Sequence, residues 1–256
     1  MILAVDIGNT NIVFGGFEGS EISFSSRIST NLERTEAEYV VLIRSIFEVY
    51  AINKEQIEGA IISSVVPPLT NILKTVLDKL TGKRTLVVGP GLKTGLNIVI
   101  DDPSELGSDL AVESVAAIAK YPKPVIVLDM GTATKFTVVD SRGDLRGVVI
   151  YPGVMVSFDA LTSRAAQLPR ISFDAPKRVI GTNSIMSMQS GLIYGSAGMV
   201  DGIIDRIEEE LGEKASLIAT GGLCETIIKF CRHEMIFDRT LVLDGLRILY
   251  EKNKRS

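Results

Sequence analysis

Two stretches of this chain follow one pattern. AVDIGNTNIVFGGF at residues 4–17 and VIVLDMGTATKFTVVD at residues 125–140 each read as an apolar strand, an Asp-x-Gly turn with polar residues, and a second strand. Aligning them sets Asp6 on Asp129 and Gly8 on Gly131, almost half the chain apart. Each copy then turns again on an acid and a glycine, Glu18-Gly19-Ser20 in one and Asp140-Ser141-Arg142-Gly143-Asp144 in the other. Such a repeat constrains a fold more than composition does, because each copy must be a unit with its own apolar face. It predicts two similar domains, 1–120 and 121–256, divided at KYPKP (120–124), with the two Asp-x-Gly turns facing each other across a cleft.

Between the copies the apolar spacing alternates. TEAEYVVLIRSIFEVY (35–50) and PLTNILKTVLDKL (68–80) carry helical periodicity, while GAIISSVV (59–66) and RTLVVG (84–89) are short β-rich runs bounded by Gly and Pro. In the second half, residues 184–212 form a long helical stretch, ASLIATGG (215–222) a strand ending in a glycine pair, and 240–253 a last helix. Strands alternating with helices define an α/β architecture, with a hairpin opening each half.

Composition narrows the function. Hydrophobic residues make up 46% and charged residues 23%, values of an ordinary globular protein. A net charge of -4 with no basic stretch argues against nucleic acid and membrane surfaces and favours a small-molecule substrate. No apolar run reaches bilayer length, and MILAVDIG lacks the charged front of a signal peptide, which predicts a cytoplasmic protein. The closing EKNKRS reads as a solvated tail. Cys224 and Cys231, expected on one helix face with Ile227 and Ile228, read as buried thiols, and the single His233 has no visible partners for a metal site or a Ser-His dyad. Carboxylates, hydroxyls and backbone amides are left to carry any chemistry.

A turn rich in free N–H groups suits phosphate, and Gly8 removes the Cβ that would hold an anion off the main chain. Asn9, Thr10 and Asn11 add side-chain donors, although a plain hairpin turn uses the same residues. Asp6 would repel a bare phosphate, so this reading requires a cation such as Mg²⁺ held through water, and the same logic applies to Asp129. Gly221 and Gly222, after a buried strand, could let an adenosine lie against backbone or could serve a strand-to-helix turn. In DDPSELGSD, Gly107 breaks a turn and Ser108 is placed to cap a helix that holds Asp109 in its first turn. There Asp109 is either a partner of the helix dipole or a base for an attacking hydroxyl.

Taken together, DIGNTN (6–11), DDPSELGSD (101–109), DMGTAT (129–134), YPGV (151–154), LP (168–169), IGTNS (180–184), MQSG (188–191) and ATGG (219–222) resemble the type III pantothenate kinases. These belong to the superfamily of actin, heat-shock chaperones and acetate and sugar kinases, whose domains are actin-like and ribonuclease H-like. The resemblance implies a homodimer that uses ATP, Mg²⁺ and a monovalent cation, K⁺ or NH₄⁺, to phosphorylate pantothenate, the first step toward coenzyme A. By position it implies that Asp6, Ile7, Gly8, Asn9, Thr10, Asn11, Ile12 and Val13 bind ATP with Gly131 and Thr132. Asp109 is then the proton acceptor and Asp129 the monovalent-cation ligand. Ile100, Gly107, Ser108, Asp109, Leu110 and Ser184 would line the pantothenate pocket.

The chain departs from the family pattern where Tyr, Arg and Thr are usual, having Ile100, Leu110 and Ser184. Leu110 cannot pair with a substrate carboxylate, and losing such a charge-assisted bond predicts roughly ten- to a hundredfold weaker handling of pantothenate unless an arginine such as Arg164 or Arg178 replaces it. After the second turn the usual Thr-Thr-x-Asp is Thr134-Lys135-Phe136-Thr137. Lys135 reads either as a solvated strand residue or as an ammonium standing in for the monovalent cation. Two other functions stay open: a kinase of this fold with another hydroxyl substrate, and a nucleotide-binding regulatory protein without catalysis.

Overall fold

The computed structural model describes residues 1–165, 168–169 and 171–254, so the last two residues of the expected tail lie outside it. The chain forms two compact units: Met1–Leu96, Asp101–Ala119 and Thr240–Ser256, and then Asn97–Ile100 with Lys120–Arg239.

The first unit is built on a sheet of β1 (Ile2–Ile7), β2 (Asn11–Glu18), β3 (Glu21–Ser29), β4 (Gly59–Ser64) and β5 (Leu86–Val87), in the order β3-β2-β1-β4-β5. The first three strands pair antiparallel, and β1, β4 and β5 run parallel. Central β1 is apolar on both sides because both are covered. Leu3, Val5 and Ile7 pack with Tyr39 and Ile43 of α1 (Glu36–Val49) and with Leu69 and Leu73 of α2 (Pro67–Thr81). Ile2 and Ala4 face Val112 and Val115 of α3 (Ser108–Lys120) and Leu243 and Leu246 of α8 (Leu241–Asn253). Helix ends follow local chemistry: Thr35 and Glu38 form a capping box on α1, and Gly82 closes α2 with φ 65°.

The second unit repeats the plan. Its strands are β6 (Asn97–Ile98), β7 (Val125–Met130), β8 (Ala133–Val139), β9 (Asp144–Pro152), β10 (Ser216–Thr220) and β11 (Ile236–Phe237), in the order β11-β10-β7-β8-β9-β6. Leaving out β6, which runs parallel to β9 at the edge, this is the order of the first sheet read from the other end. Helix α4 (Val154–Arg164) follows β9, and the long helical stretch is α5 (Ser184–Ser190) and α6 (Ser196–Leu211) joined by a π turn, Gly191–Gly195. Ile126, Leu128 and Met130 pack on Ile193, Val200 and Ile204 of this run.

Three local expectations change. The division is not one cut at residue 120, because α8 packs on the first sheet and β6 pairs with β9. The cysteines do not share one helix: α7 (Cys224–Ile227) passes into a 3-10 turn, Ile228–Phe230, before Cys231. RTLVVG forms only the two-residue β5. Among the described residues no helix is long and apolar enough to cross a membrane.

Candidate active site

Strand alternation in the first unit puts Asp6 on the α3/α8 side of the sheet, at the carboxyl end of β1. Its register neighbours are Val13 on β2 and Ser63 on β4. The turn that follows is pinned from several directions. Gly8 N–H donates to Asn11 O (3.0 Å), Thr30 Oγ1 to Gly8 O (2.6 Å), Thr30 N–H to Thr10 O (3.0 Å) and Val65 N–H to Ile7 O (3.0 Å). Asn9 and Thr10 are exposed at its tip.

Beside Asp6, Ser63 Oγ lies 3.1 Å from Ser108 Oγ, which donates to Ser64 O (2.9 Å) and accepts from Ser64 N–H (3.0 Å). A hydroxyl has one proton, so Ser63 is the donor in the first of these bonds. Ser108 was expected to cap α3; it is instead the first helical residue, and its hydroxyl bridges to the end of β4. The same bridge brings the start of α3, with Asp109 in its first turn, to the strand ends that carry Asp6. Asp109 Oδ1 accepts from Leu110 N–H (2.9 Å), and a Cβ on Gly107 would stand 2.5 Å from that oxygen. Gly107 therefore leaves room for the carboxylate. Leu110 itself is only 6% exposed.

In the second unit Asp129 takes the matching place at the end of β7, opposite Lys135 on β8 and Thr220 on β10. Lys135 is not a solvated strand residue: its Nζ lies 2.6 Å from Asp129 Oδ2, and both side chains are 15% exposed. Thr137, next on the same face, is fully buried with no hydrogen-bond partner for its hydroxyl among the described residues. Gly131 N–H donates to Ala133 O (3.0 Å) and Gly153 N–H to Thr132 O (3.1 Å), leaving Gly131 and Thr132 exposed. A Cβ on Gly153 would fall 2.3 Å from Thr132 O and 2.5 Å from Gly131 O, so the glycine of YPGV lets backbone press against the turn. Gly221, at φ 96°, comes equally close to Met130, whereas Gly222 has open space beside it.

Of the residues expected around pantothenate, Gly107–Leu110 belong to the first unit and Ile100 and Ser184 to the second. Ser184 starts α5 on the wall of a cavity of about 650 Å³, lined mainly by apolar side chains including Tyr151, Phe158, Leu161 and Met199. Arg164, at the end of α4, and Arg178 are both exposed. Sequence reasoning assigned no role to Thr30, Ser63, Ser64 or Gly153; only YPGV was visible as a motif, and the others act through sheet order.

Burial pushes the Cys224 thiol well up and that of Cys231 up to about 12, so neither is a thiolate nucleophile at neutral pH. His233, expected to lack a partner set for a metal site or a Ser-His dyad, has Nε2 2.8 Å from Asp205 Oδ1, and the two form a group with Glu208 whose ligand atoms lie within 4.8 Å of one another. Glu208 is also engaged by Lys214 (2.5 Å) and Ala215 N–H (3.1 Å).

This double αβ plan, with an acidic turn at each central strand end, defines the actin-like ATPase and kinase fold. The activator of 2-hydroxyisocaproyl-CoA dehydratase from Clostridium difficile, solved with bound ADPNP, matches 100% of this chain and 98% of its own at 12% identity and a TM-score of 0.58. A family profile described as type III pantothenate kinase matches residues 2–206. Curated relatives of that name are 46% identical over 100% of both chains in Exiguobacterium sp. (strain ATCC BAA-1283 / AT1b), and 45% identical over 99% of this chain and 100% of the relative in Brevibacillus brevis. The chain belongs to the type III pantothenate kinase family.

Proposed function

We propose that this protein transfers the γ-phosphoryl group of ATP to the primary hydroxyl of pantothenate, the first step toward coenzyme A. The observation that carries the chemistry is the Ser63–Ser108 bridge, which fixes Asp109 at the head of α3 beside the strand ends that hold Asp6. Asp109 orients the hydroxyl and accepts its proton as the oxygen–phosphorus bond forms and the bond from γ-phosphorus to the ADP leaving oxygen breaks. Asn9 and Thr10 at the tip of the first turn, and Thr132 in the second, are exposed and carry polar side chains that suit phosphate.

In this reading Asp6, a hard oxygen donor at the carboxyl end of β1, would hold Mg²⁺ through water. When bound, Mg²⁺ neutralises phosphate charge. Ile7, Asn9, Asn11, Ile12 and Val13 shape the first nucleotide turn. Gly221 and Gly222 lie on the adenosine side in this reading. In this reading Gly107, Ser108 and Leu110 of the first unit, and Ile100 and Ser184 of the second, are acceptor-binding residues. A cytoplasmic homodimer is part of the proposal; exposed Ile150, Met155, Val156, Val179, Ile180 and Ile185 on the second unit give a second copy apolar surface to cover.

A second reading is favoured by Leu110: an apolar, 6% exposed side chain beside the proposed base recognises no carboxylate, which suits a different alcohol. Comparing kcat/KM for pantothenate and for pantothenol, which lacks the carboxylate, tests both. A ratio within about tenfold is expected, since the missing charged bond is the main source of discrimination. ATP binding with turnover of neither compound, or of an unrelated alcohol alone, overturns pantothenate as the substrate.

A further inference from the structure

We propose that Lys135 is the built-in monovalent cation of the second phosphate turn, so that the protein binds nucleotide without K⁺ or NH₄⁺. This rests on reading the turn at Asp129 as a nucleotide turn. The two halves of the molecule make the comparison internally. Opposite Asp6 in the ladder stands Val13; opposite Asp129 stands Lys135, its ammonium 2.6 Å from the carboxylate. With both side chains only 15% exposed, the pair is shielded from solvent far more than a surface ion pair.

A free monovalent cation does not fit here. On either carboxylate oxygen of Asp129 it would sit close to an ammonium that is already 2.6 Å from Oδ2, against a like charge. Nor does the next position on that face supply another carboxylate, because Thr137 is neutral and fully buried. A tethered ammonium presents the charge of NH₄⁺ at a high effective concentration regardless of the medium.

Its consequence falls on the neighbouring turn. Gly131 and Thr132 are exposed just beyond Asp129, and an uncompensated carboxylate there would oppose an incoming phosphate. Lys135 cancels that charge and fixes the carboxylate, acting as a positioning residue.

Calorimetric titration of the full chain with MgADP in KCl, NH₄Cl and choline chloride at equal ionic strength tests the idea, together with thermal melting in each salt. For the wild type the dissociation constant should change by less than about twofold between salts, and the melting temperature should not depend on the cation. Lys135→Thr should bind MgADP at least about tenfold more weakly in choline chloride and recover severalfold in KCl or NH₄Cl, a coupling of ordinary size. Lys135→Arg, which keeps the charge, should stay insensitive to salt and guards against a folding defect in Lys135→Thr. A wild type that needs K⁺ by tenfold or more overturns the proposal, as does a Lys135→Thr protein that binds like wild type in every salt. Nucleotide binding without pantothenate turnover would remove the substrate assignment alone. No nucleotide binding in any salt would remove the nucleotide turn and this inference together.

Discussion

Asp109→Asn is expected to lower kcat by about 10²–10⁴-fold, the usual contribution of a positioned general base, while MgATP affinity stays within about twofold because that binding is uniform to both forms. The asparagine oxygen can keep the bond from Leu110 N–H, and Gly107 leaves the same space beside it. The substitution removes the negative charge and the proton affinity while keeping the size and shape of the side chain. A loss shared equally by kcat and nucleotide binding would instead point to a structural role for Asp109 at the start of α3. A kcat within about fivefold of wild type would show that no base acts at this position. Steady-state kinetics with calorimetric ATP titration separates these results.

Gly153→Ala should damage the second turn from a distance in sequence. The added Cβ would lie 2.3 Å and 2.5 Å from two backbone carbonyl oxygens, of Thr132 and Gly131, so backbone must move rather than a side-chain tip. Overpacking of this kind typically costs about 1–3 kcal/mol, and the displaced turn should bind nucleotide about tenfold or more weakly, since phosphate contacts depend on fixed N–H positions. At Gly153 φ is -62° and ψ 153°, which any residue adopts, so backbone conformation contributes nothing to the expected loss. Gly222→Ala is the control for stability: its Cβ meets nothing within 4 Å, and melting should be nearly unchanged. Equal stability and nucleotide affinity in wild type and Gly153→Ala would contradict the packing of YPGV against the turn. Chemical denaturation and MgADP titration measure both effects.

The repeat was legible because its signal is local. An apolar run, Asp-x-Gly and a second strand occur twice, and the two sheets carry the same strand order. The capping box at Thr35 and the glycine closure at Gly82 are likewise set by neighbouring residues. What failed to show was set by register and long-range pairing. Lys135 resembles a solvated strand lysine until the ladder sets it opposite Asp129, because the charge alone does not say which residue it faces. Ser108 fits an N-cap by its neighbours, yet β4, far back in the chain, supplies the partners of its hydroxyl. Thr30 reaches the first turn only through β2–β3 pairing. The return of α8 to the first sheet leaves no mark in adjacent sequence, and the helix expected to carry both cysteines tightens into a 3-10 turn before the second.

The most direct test of the central claim is product analysis by mass spectrometry after incubating the protein with MgATP and pantothenate. The account predicts that pantothenate gains one phosphoryl group with one ADP formed per product, and that Asp109→Asn forms neither at a comparable rate. Bound ATP with unmodified pantothenate and no ADP would contradict it.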